Sequence, residues 1–198
     1  MSHSHVHETS AGASNRVKTL VAGLEAAGVL TEADLDAVVE TFLNHAQPAK
    51  GARVIARAWV DGAFRTRLLA DGTAALEELG IDLSHWAPVK LRVVANEPRR
   101  HNLIVCTLCS CYPLALLGPS PTWYKSSAYR SRAVRDPRSV LAEFGTTLAA
   151  DVEITVWDST AEVRYLVLPL RPAGTEHATE SELEAMVTRN GMIGTATV

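Results

Sequence analysis

The residues best suited to chemistry are gathered in six positions, because Cys106-Thr107-Leu108-Cys109-Ser110-Cys111 holds every cysteine of the chain. The spacing is C-x-x-C-x-C. A loop built this way sends three thiols from one tight curve of backbone toward a common point. The thiolate is the form that binds metal, and a bound metal draws the proton off the thiol. An odd, clustered set cannot form a disulfide framework. Four chemistries compete for the loop. Structural zinc takes four ligands, so a remote histidine such as His85 or His101 would have to join the three cysteines. A thiol–disulfide exchange pair would use Cys106 and Cys109, but the third cysteine and the flanking residues argue against it. Three buried cysteines without a metal would be a chance clustering. The fourth reading is a low-spin transition-metal site. There the backbone amides of Ser110 and Cys111, deprotonated, would join the thiolates, fill five positions and leave one open. Spacing alone does not choose among these.

The elements that must position the loop are legible on either side of it. Leu103–Val105 reads as a strand running straight into Cys106, and Val89–Val94 reads as the strand before it. Pro121–Val134 and Asp136–Phe144 read as helices, the second capped by Asp136, started by Pro137 and ended by Gly145. Val152–Trp157 and Val163–Leu168 are two further strands. Thr179 and Glu182 form a capping box for a last helix that Gly191 is expected to end. Upstream, residues 49–80 look helical, with turns at Asp61-Gly62 and Asp71-Gly72. Two amphipathic helices precede them. One carries Val17, Leu20, Val21 and Leu24 and stops at Gly28. The other is capped by Thr31 and Asp34 and carries Leu35, Val38, Val39 and Phe42. Residues 1–13, with His3, His5 and His7, read as an unstructured tail. Helices come first and strands then mix with helices, without βαβ alternation or repeats, which places the fold in the α+β class.

Composition narrows the function. A chain of 198 residues that is 47% hydrophobic can bury a real core. Its net charge of −3 argues against non-specific nucleic-acid binding. No apolar run approaches the roughly 20 residues that span a bilayer, and the N-terminus lacks the apolar stretch of a secretory signal. The expectation is a cytoplasmic protein with neither nucleic acid nor membrane as partner.

The segment Val105-Cys106-Thr107-Leu108-Cys109-Ser110-Cys111-Tyr112-Pro113 resembles the metal-binding signature of nitrile hydratase α subunits. Further segments resemble the family in the same order: Ala58-Trp59-Val60-Asp61, Leu68-Leu69-Ala70-Asp71-Gly72-Thr73, Trp123-Tyr124-Lys125-Ser126, Tyr129-Arg130-Ser131-Arg132, Val134–Arg138 and Leu168–Thr175. The resemblance covers roughly residues 15–195. It implies a helical arm (14–48) that contacts a partner subunit, followed by a metal-binding catalytic domain (49–198) of layered α/β/β/α form. Threonine after the first cysteine goes with cobalt in this family, so Thr107 implies non-corrin cobalt(III). Cys106, Cys109 and Cys111 would be thiolate ligands, with backbone nitrogens from Ser110 and Cys111. Cys109 would mature to a sulfinate and Cys111 to a sulfenate, states that elsewhere mark damage or signalling. Cys111 and Ser110 would be the catalytic residues for hydrating a nitrile to an amide. A β subunit would supply arginines to the oxidised cysteines, and an activator protein would deliver the metal. The γ subunit of thiocyanate hydrolase shares the signature and is the nearest alternative. A non-catalytic zinc protein is the alternative from another class.

The chain departs from the family near the expected pocket. Leu114-Ala115-Leu116-Leu117-Gly118 stands where the family usually carries Trp-Pro-Val-Leu-Gly after Cys-Tyr-Pro. Trp86-Ala87-Pro88-Val89 stands where it tends to show Pro-Gln-Gly-Glu. Leu114, Tyr112 and Ala87 are therefore expected to line a roomier substrate pocket, suited to a bulky or heterocyclic nitrile, a nucleoside-like one included.

Overall fold

Every strand of this protein is short, and each finds its partner far along the chain rather than next door. The computed structural model describes residues 10–83, 89–109 and 111–198. Strands β1 (Lys90–Ala95) and β2 (Arg100–Val105) are joined by a four-residue turn, as are β3 (Glu153–Asp158) and β4 (Val163–Leu168). Neither turn makes a hairpin. β1 pairs in parallel with β4, from Lys90 opposite Val163 to Ala95 opposite Leu168. β2 pairs in parallel with β3, from Arg100 opposite Glu153 to Val105 opposite Asp158. The chain therefore crosses twice from one two-stranded sheet to the other, and β2 packs on β4 between them.

Helices cover both outer faces. In the first half, α3 (Pro48–Val60), α4 (Gly62–Ala70) and α5 (Gly72–Glu77) follow one another directly. They break at Asp61 and Asp71, whose carboxylates accept hydrogen bonds from the Phe64 and Ala74 amides and so cap the next helix. α4 and α5 pack on β1, and α8 (Ser127–Arg135) and α9 (Pro137–Glu143) pack on β2 and β3. The result is the expected α/β/β/α layering. β2 is covered on both sides, and all its residues after Arg100 are buried, the apolar Leu103–Val105 and the polar His101 and Asn102 alike.

Three expectations need correction. Pro121–Val134 is not one helix: α7 (Thr122–Lys125) ends at Ser126, whose hydroxyl accepts from the Tyr129 amide and starts α8. α6 (Leu114–Leu117), not foreseen, follows the cysteine loop. The last helix is also two. α10 (Glu180–Met186) carries the expected Thr179–Glu182 capping box, but α11 (Arg189–Ile193) runs through Gly191 and ends at Gly194, where φ is 91°. Gly194 is irreplaceable for a second reason, since a Cβ there would lie 2.0 Å from the Asn102 carbonyl oxygen.

Residues up to Asn44 form one compact unit and His45–Val198 a second. The first holds α1 (Ser10–Ala26) and all but the last residue of α2 (Glu32–His45). α1 takes in Ser10–Ala13, which the sequence assigned to the tail, while residues 1–9 lie outside the described residues. Gly28, at φ 67°, closes α1, and Thr31 and Asp34 exchange the expected capping bonds. Val17, Leu20, Val38, Val39 and Leu43 are exposed, and α2 buries none of its residues.

The polar residues inside β2 are all spoken for. Asn102 receives a hydrogen bond from the Trp157 indole (2.8 Å) and donates to the Ala95 carbonyl (2.7 Å). The Asn96 side chain takes the Asn102 amide (2.7 Å) and approaches His101 Nδ1 (3.4 Å), while His101 Nε2 lies 2.7 Å from the Gly194 carbonyl. A carbonyl only accepts, so Nε2 carries the hydrogen and Nδ1 accepts from Asn96. His101 is thus a structural residue held neutral, and burial pushes its pKa below the ordinary 6.5. The folded state then binds fewer protons than the unfolded chain near pH 6. Its contribution to stability is complete above pH 6.5 and lost as the pH falls below that value. His101→Ala should cost about 1–3 kcal/mol at pH 7.5 by leaving buried partners unmet. In urea titrations the gap between the two proteins should narrow toward pH 5.5. A gap independent of pH would count against this account.

Candidate metal centre

The cysteine loop begins where β2 ends, and the register of the β2–β3 pair decides what meets it. Val105 lies opposite Asp158, and the ladder runs one step further because the Ser159 amide donates to the Val105 carbonyl (2.8 Å). Asp158 is thereby set beside Thr107. Its carboxylate accepts from the Thr107 amide (2.9 Å) and the Thr107 hydroxyl (2.5 Å). Three more side chains grip the backbone. Arg130, on α8, donates through Nη1 to the carbonyls of Cys109 (3.1 Å) and Thr107 (3.4 Å). The Tyr124 hydroxyl, on α7, donates to the Cys111 carbonyl (3.0 Å), and the Tyr129 hydroxyl to that of Ile104 (2.6 Å). Both tyrosines belong to an edge-to-face aromatic cluster with Trp123 and Phe144, which fixes their hydroxyls.

Held this way, the thiols converge. Sγ of Cys106 and Cys109 are 3.4 Å apart, those of Cys109 and Cys111 are 3.1 Å apart, and all three lie within 4.8 Å of one another. Two thiolates at right angles about an ion, each at about 2.3 Å, would stand roughly 3.3 Å apart, and at the tetrahedral angle roughly 3.8 Å. The two short separations are nearer the right-angle value. Cys109 thus stands at about the right-angle spacing from each of the other two sulfurs, and the three are close enough to converge on one ion. No fourth histidine, cysteine or carboxylate joins the group among the described residues, and His101 is engaged elsewhere, with Gly194 and Asn96. Ser110 and His85 fall outside the described residues.

Burial and the neighbouring Cys109 sulfur push the Cys111 thiol up to about 12, against the opposing positive charge of Arg164 on β4. Without metal this thiol is protonated at neutral pH, so an ion must displace the proton to bind.

The expected pocket residues fare differently. Tyr112 and Leu114 line an apolar cavity of about 200 Å³ with Leu83, Leu91, Leu116 and Arg164. Tyr112 is buried, its ring 4.9 Å from that of Tyr124 in an edge-on contact. Ala87 lies outside the described residues.

A family model described as "Nitrile hydratase, alpha chain" matches residues 11–196. The chain belongs to that family. It is 50% identical over 179 residues to the low-molecular weight cobalt-containing nitrile hydratase subunit alpha of Rhodococcus rhodochrous, covering 90% of this chain and 86% of that one. Over 180 residues it is 47% identical to the cobalt-containing nitrile hydratase subunit alpha of Pseudonocardia thermophila, with 90% and 87% covered. The thiocyanate hydrolase subunit gamma of Thiobacillus thioparus is 42% identical over 168 residues, with 80% and 69% covered. Among solved structures, a double mutant of the Fe-type nitrile hydratase of Comamonas testosteroni Ni1 superposes with a TM-score of 0.88 at 38% identity, over 96% of this chain and 92% of that one.

Sequence reasoning did not single out Asp158, Tyr124 or Arg164. Asp158 left a trace, being the carboxylate at the end of a strand long enough to pair with the one before the cysteines. The reach of Tyr124 and Arg164 depends on tertiary packing and leaves no such sign.

Residues that brace a metal ligand set usually matter ten- to a hundredfold in affinity. Asp158→Ala should weaken metal binding by about that factor, read by competition with a chelator. Circular dichroism should remain unchanged. Metal affinity of the apo protein should also rise with pH between 6 and 9, with proton release seen as a buffer-dependent heat. A flat pH profile would refute the protonated state assigned to Cys111.

Proposed function

We propose that this chain is the metal-carrying α subunit of a cobalt-type nitrile hydratase, a hydro-lyase that converts a nitrile to its amide. The observation that carries the reading is the convergence of Cys106, Cys109 and Cys111, with the Cys109 sulfur 3.4 and 3.1 Å from the other two, in a chain of this family. The cobalt-containing relatives and Thr107 support non-corrin cobalt(III). The three thiolates, with the backbone nitrogens of Ser110 and Cys111, would hold it. When bound, it supplies Lewis acidity toward the nitrile.

The chain's own residues do the rest. Cys109 would be oxidised to the sulfinate and Cys111 to the sulfenate during maturation, with an external oxidant such as dioxygen taking up the electrons. A water activated by the Cys111 oxygen would add to the nitrile carbon as the C≡N π bond opens, or that oxygen would add and be replaced on sulfur from water, and the Ser110 hydroxyl would orient the bound group. One water is added across the C≡N bond and no electrons are transferred overall. Asp158, Arg130 and Tyr124 keep the loop in place by gripping Thr107 and the carbonyls of Thr107, Cys109 and Cys111. The oxidised cysteines are anionic and need donors, which arginines of a β subunit would supply, and an activator protein would load the metal. The arm of residues 14–48 would lie on that β subunit: its apolar positions Val17, Leu20, Val38 and Val39 are exposed, and so is Leu108 at the loop, at 88%. Residues 49–198 would form the catalytic domain.

Co-expression with the β subunit in cobalt medium tests the reading. The complex should contain about one cobalt per α chain, hydrate nitriles, and leave thiocyanate untouched. The Cys106–Cys111 peptide should carry two added oxygens on Cys109 and one on Cys111 by mass spectrometry. Zinc at full occupancy, or thiocyanate turned over faster than any nitrile, would sink it.

A further inference from the structure

α8 has two faces. Tyr129 and Ala133 are buried, and the other face carries Ser127, Arg130, Ser131, Val134 and Arg135 at the three- and four-residue steps of one helix side. With Thr107 these residues border an open cleft of about 400 Å³ beside the cysteine loop. The cleft is cationic, and none of the described residues that border it is acidic. Nearby arginines are engaged elsewhere. Arg132 pairs with Glu143, and Arg138 donates to the carbonyls of Leu148, Ala149 and Val152. Arg130 and Arg135 donate only to carbonyls and pair with no carboxylate among the described residues.

Arg130 uses one edge of its guanidinium. Nη1 donates to the carbonyls of Thr107 and Cys109. Nε is buried without a hydrogen-bond partner. Nε and Nη2 share the edge that a carboxylate meets with two parallel bonds. A buried donor left unmet is destabilising, so this edge calls for an acceptor. Arg135 adds a second positive charge, with its Nε on the Ser131 carbonyl one turn back.

The surroundings point to a carboxylate carried by a protein. Val134 borders the cleft and is 50% exposed, and Leu108, next to Thr107 on the loop, is 88% exposed. Arginine beside exposed apolar side chains is the composition of a protein interface. A free anion would bury neither Leu108 nor Val134.

We propose that an aspartate or glutamate of the β subunit seats in this cleft, forked on Nε and Nη2 of Arg130 with Arg135 beside it, and that its arrival locks the cysteine loop. This rests on the reading of the chain as the α subunit. The lock follows from the two edges of one planar group. One edge holds the loop carbonyls and the other holds the partner, so a guanidinium fixed on the second cannot swing away from the first. Docking and metal binding then strengthen each other, by the same factor in both directions.

The first arm of the test dilutes the metal-free complex of full-length α and β chains and reads its dissociation constant from a fluorophore on the β subunit. Arg130→Gln should weaken association at least about thirtyfold. Arg130→Lys should weaken it less, because lysine keeps the charge and loses the fork. Arg135→Met, at an exposed charge, should weaken it about threefold. Added salt should weaken the wild-type complex more than the Arg130→Gln or Arg135→Met complex. The second arm measures cobalt(II) affinity by competition with a chelator, with and without saturating β subunit. The β subunit should tighten it about tenfold in the wild type, and by less in Arg135→Met, whose changed side chain bonds no atom of the loop. A side chain that only braced the α fold would leave that ratio unmoved. Association and salt dependence unchanged in all three variants would overturn the docking site. So would acetate that raises cobalt affinity as far as the β subunit does, since the cleft would then belong to a free anion. A ratio that responds to Arg135 in a complex that hydrates no nitrile once loaded would leave the docking site standing and overturn the reaction.

Discussion

Three thiols do not stay within 3–5 Å of one another on a six-residue loop unless the backbone beneath them is held from outside. Sulfur atoms at 3.1 and 3.4 Å crowd each other, and protonated they gain little from the contact. The hold comes from groups that bond the loop's amides and carbonyls rather than its sulfurs. Asp158 takes the start of the loop, Arg130 its middle and Tyr124 its end. Each belongs to a different element, and each is fixed by something larger: a strand register, a helix packed on β2, an aromatic cluster. The centre is thus a property of the whole second unit, although its sulfurs span only six residues.

The same logic explains the polar residues buried inside β2. His101 and Asn102 lie between two covered faces, where an unmet donor or acceptor costs about 1–3 kcal/mol. They survive because Asn96, Trp157 and Gly194 meet them. These bonds tie the turn after β1, the end of β3 and the C-terminal cap to one strand. That strand leads into Cys106. Trp59 and Arg171 extend the tie outward, since the Trp59 indole donates to the Pro169 carbonyl and Arg171 to that of Trp59.

Much of this was legible in the residues. The four strands, the breaks at Asp61 and Asp71 and the Thr179–Glu182 box follow from local chemistry, and local chemistry is what a sequence displays. The cysteine spacing announced a converging site, and resemblance gave its metal. What was not legible is non-local. Nothing in Ser126 says whether it interrupts a helix or rides on one, because that depends on how Tyr124 and Tyr129 seat their rings. Gly191 looked like a terminator, yet the left-handed turn went to Gly194, where Asn102 leaves no room for a side chain. The parallel pairing of β2 with β3 also escaped notice, and with it the role of Asp158. An aspartate at a strand end is ordinary until one knows which strand lies beside it.

That pairing has a consequence in time. Neither sheet exists until residues 90–105 have met residues 153–168, so both form by closing loops of about fifty residues or more. Such contacts form late compared with helix turns. On the ribosome, the cysteines emerge well before Asp158, and for that interval they ride on an unbraced segment with thiols exposed to any passing ion or oxidant. Order arrives with the C-terminal third. A finished cluster of three sulfurs therefore reports that the chain has been made past Asp158 and folded, which is a sound condition to impose before a reactive ion is admitted.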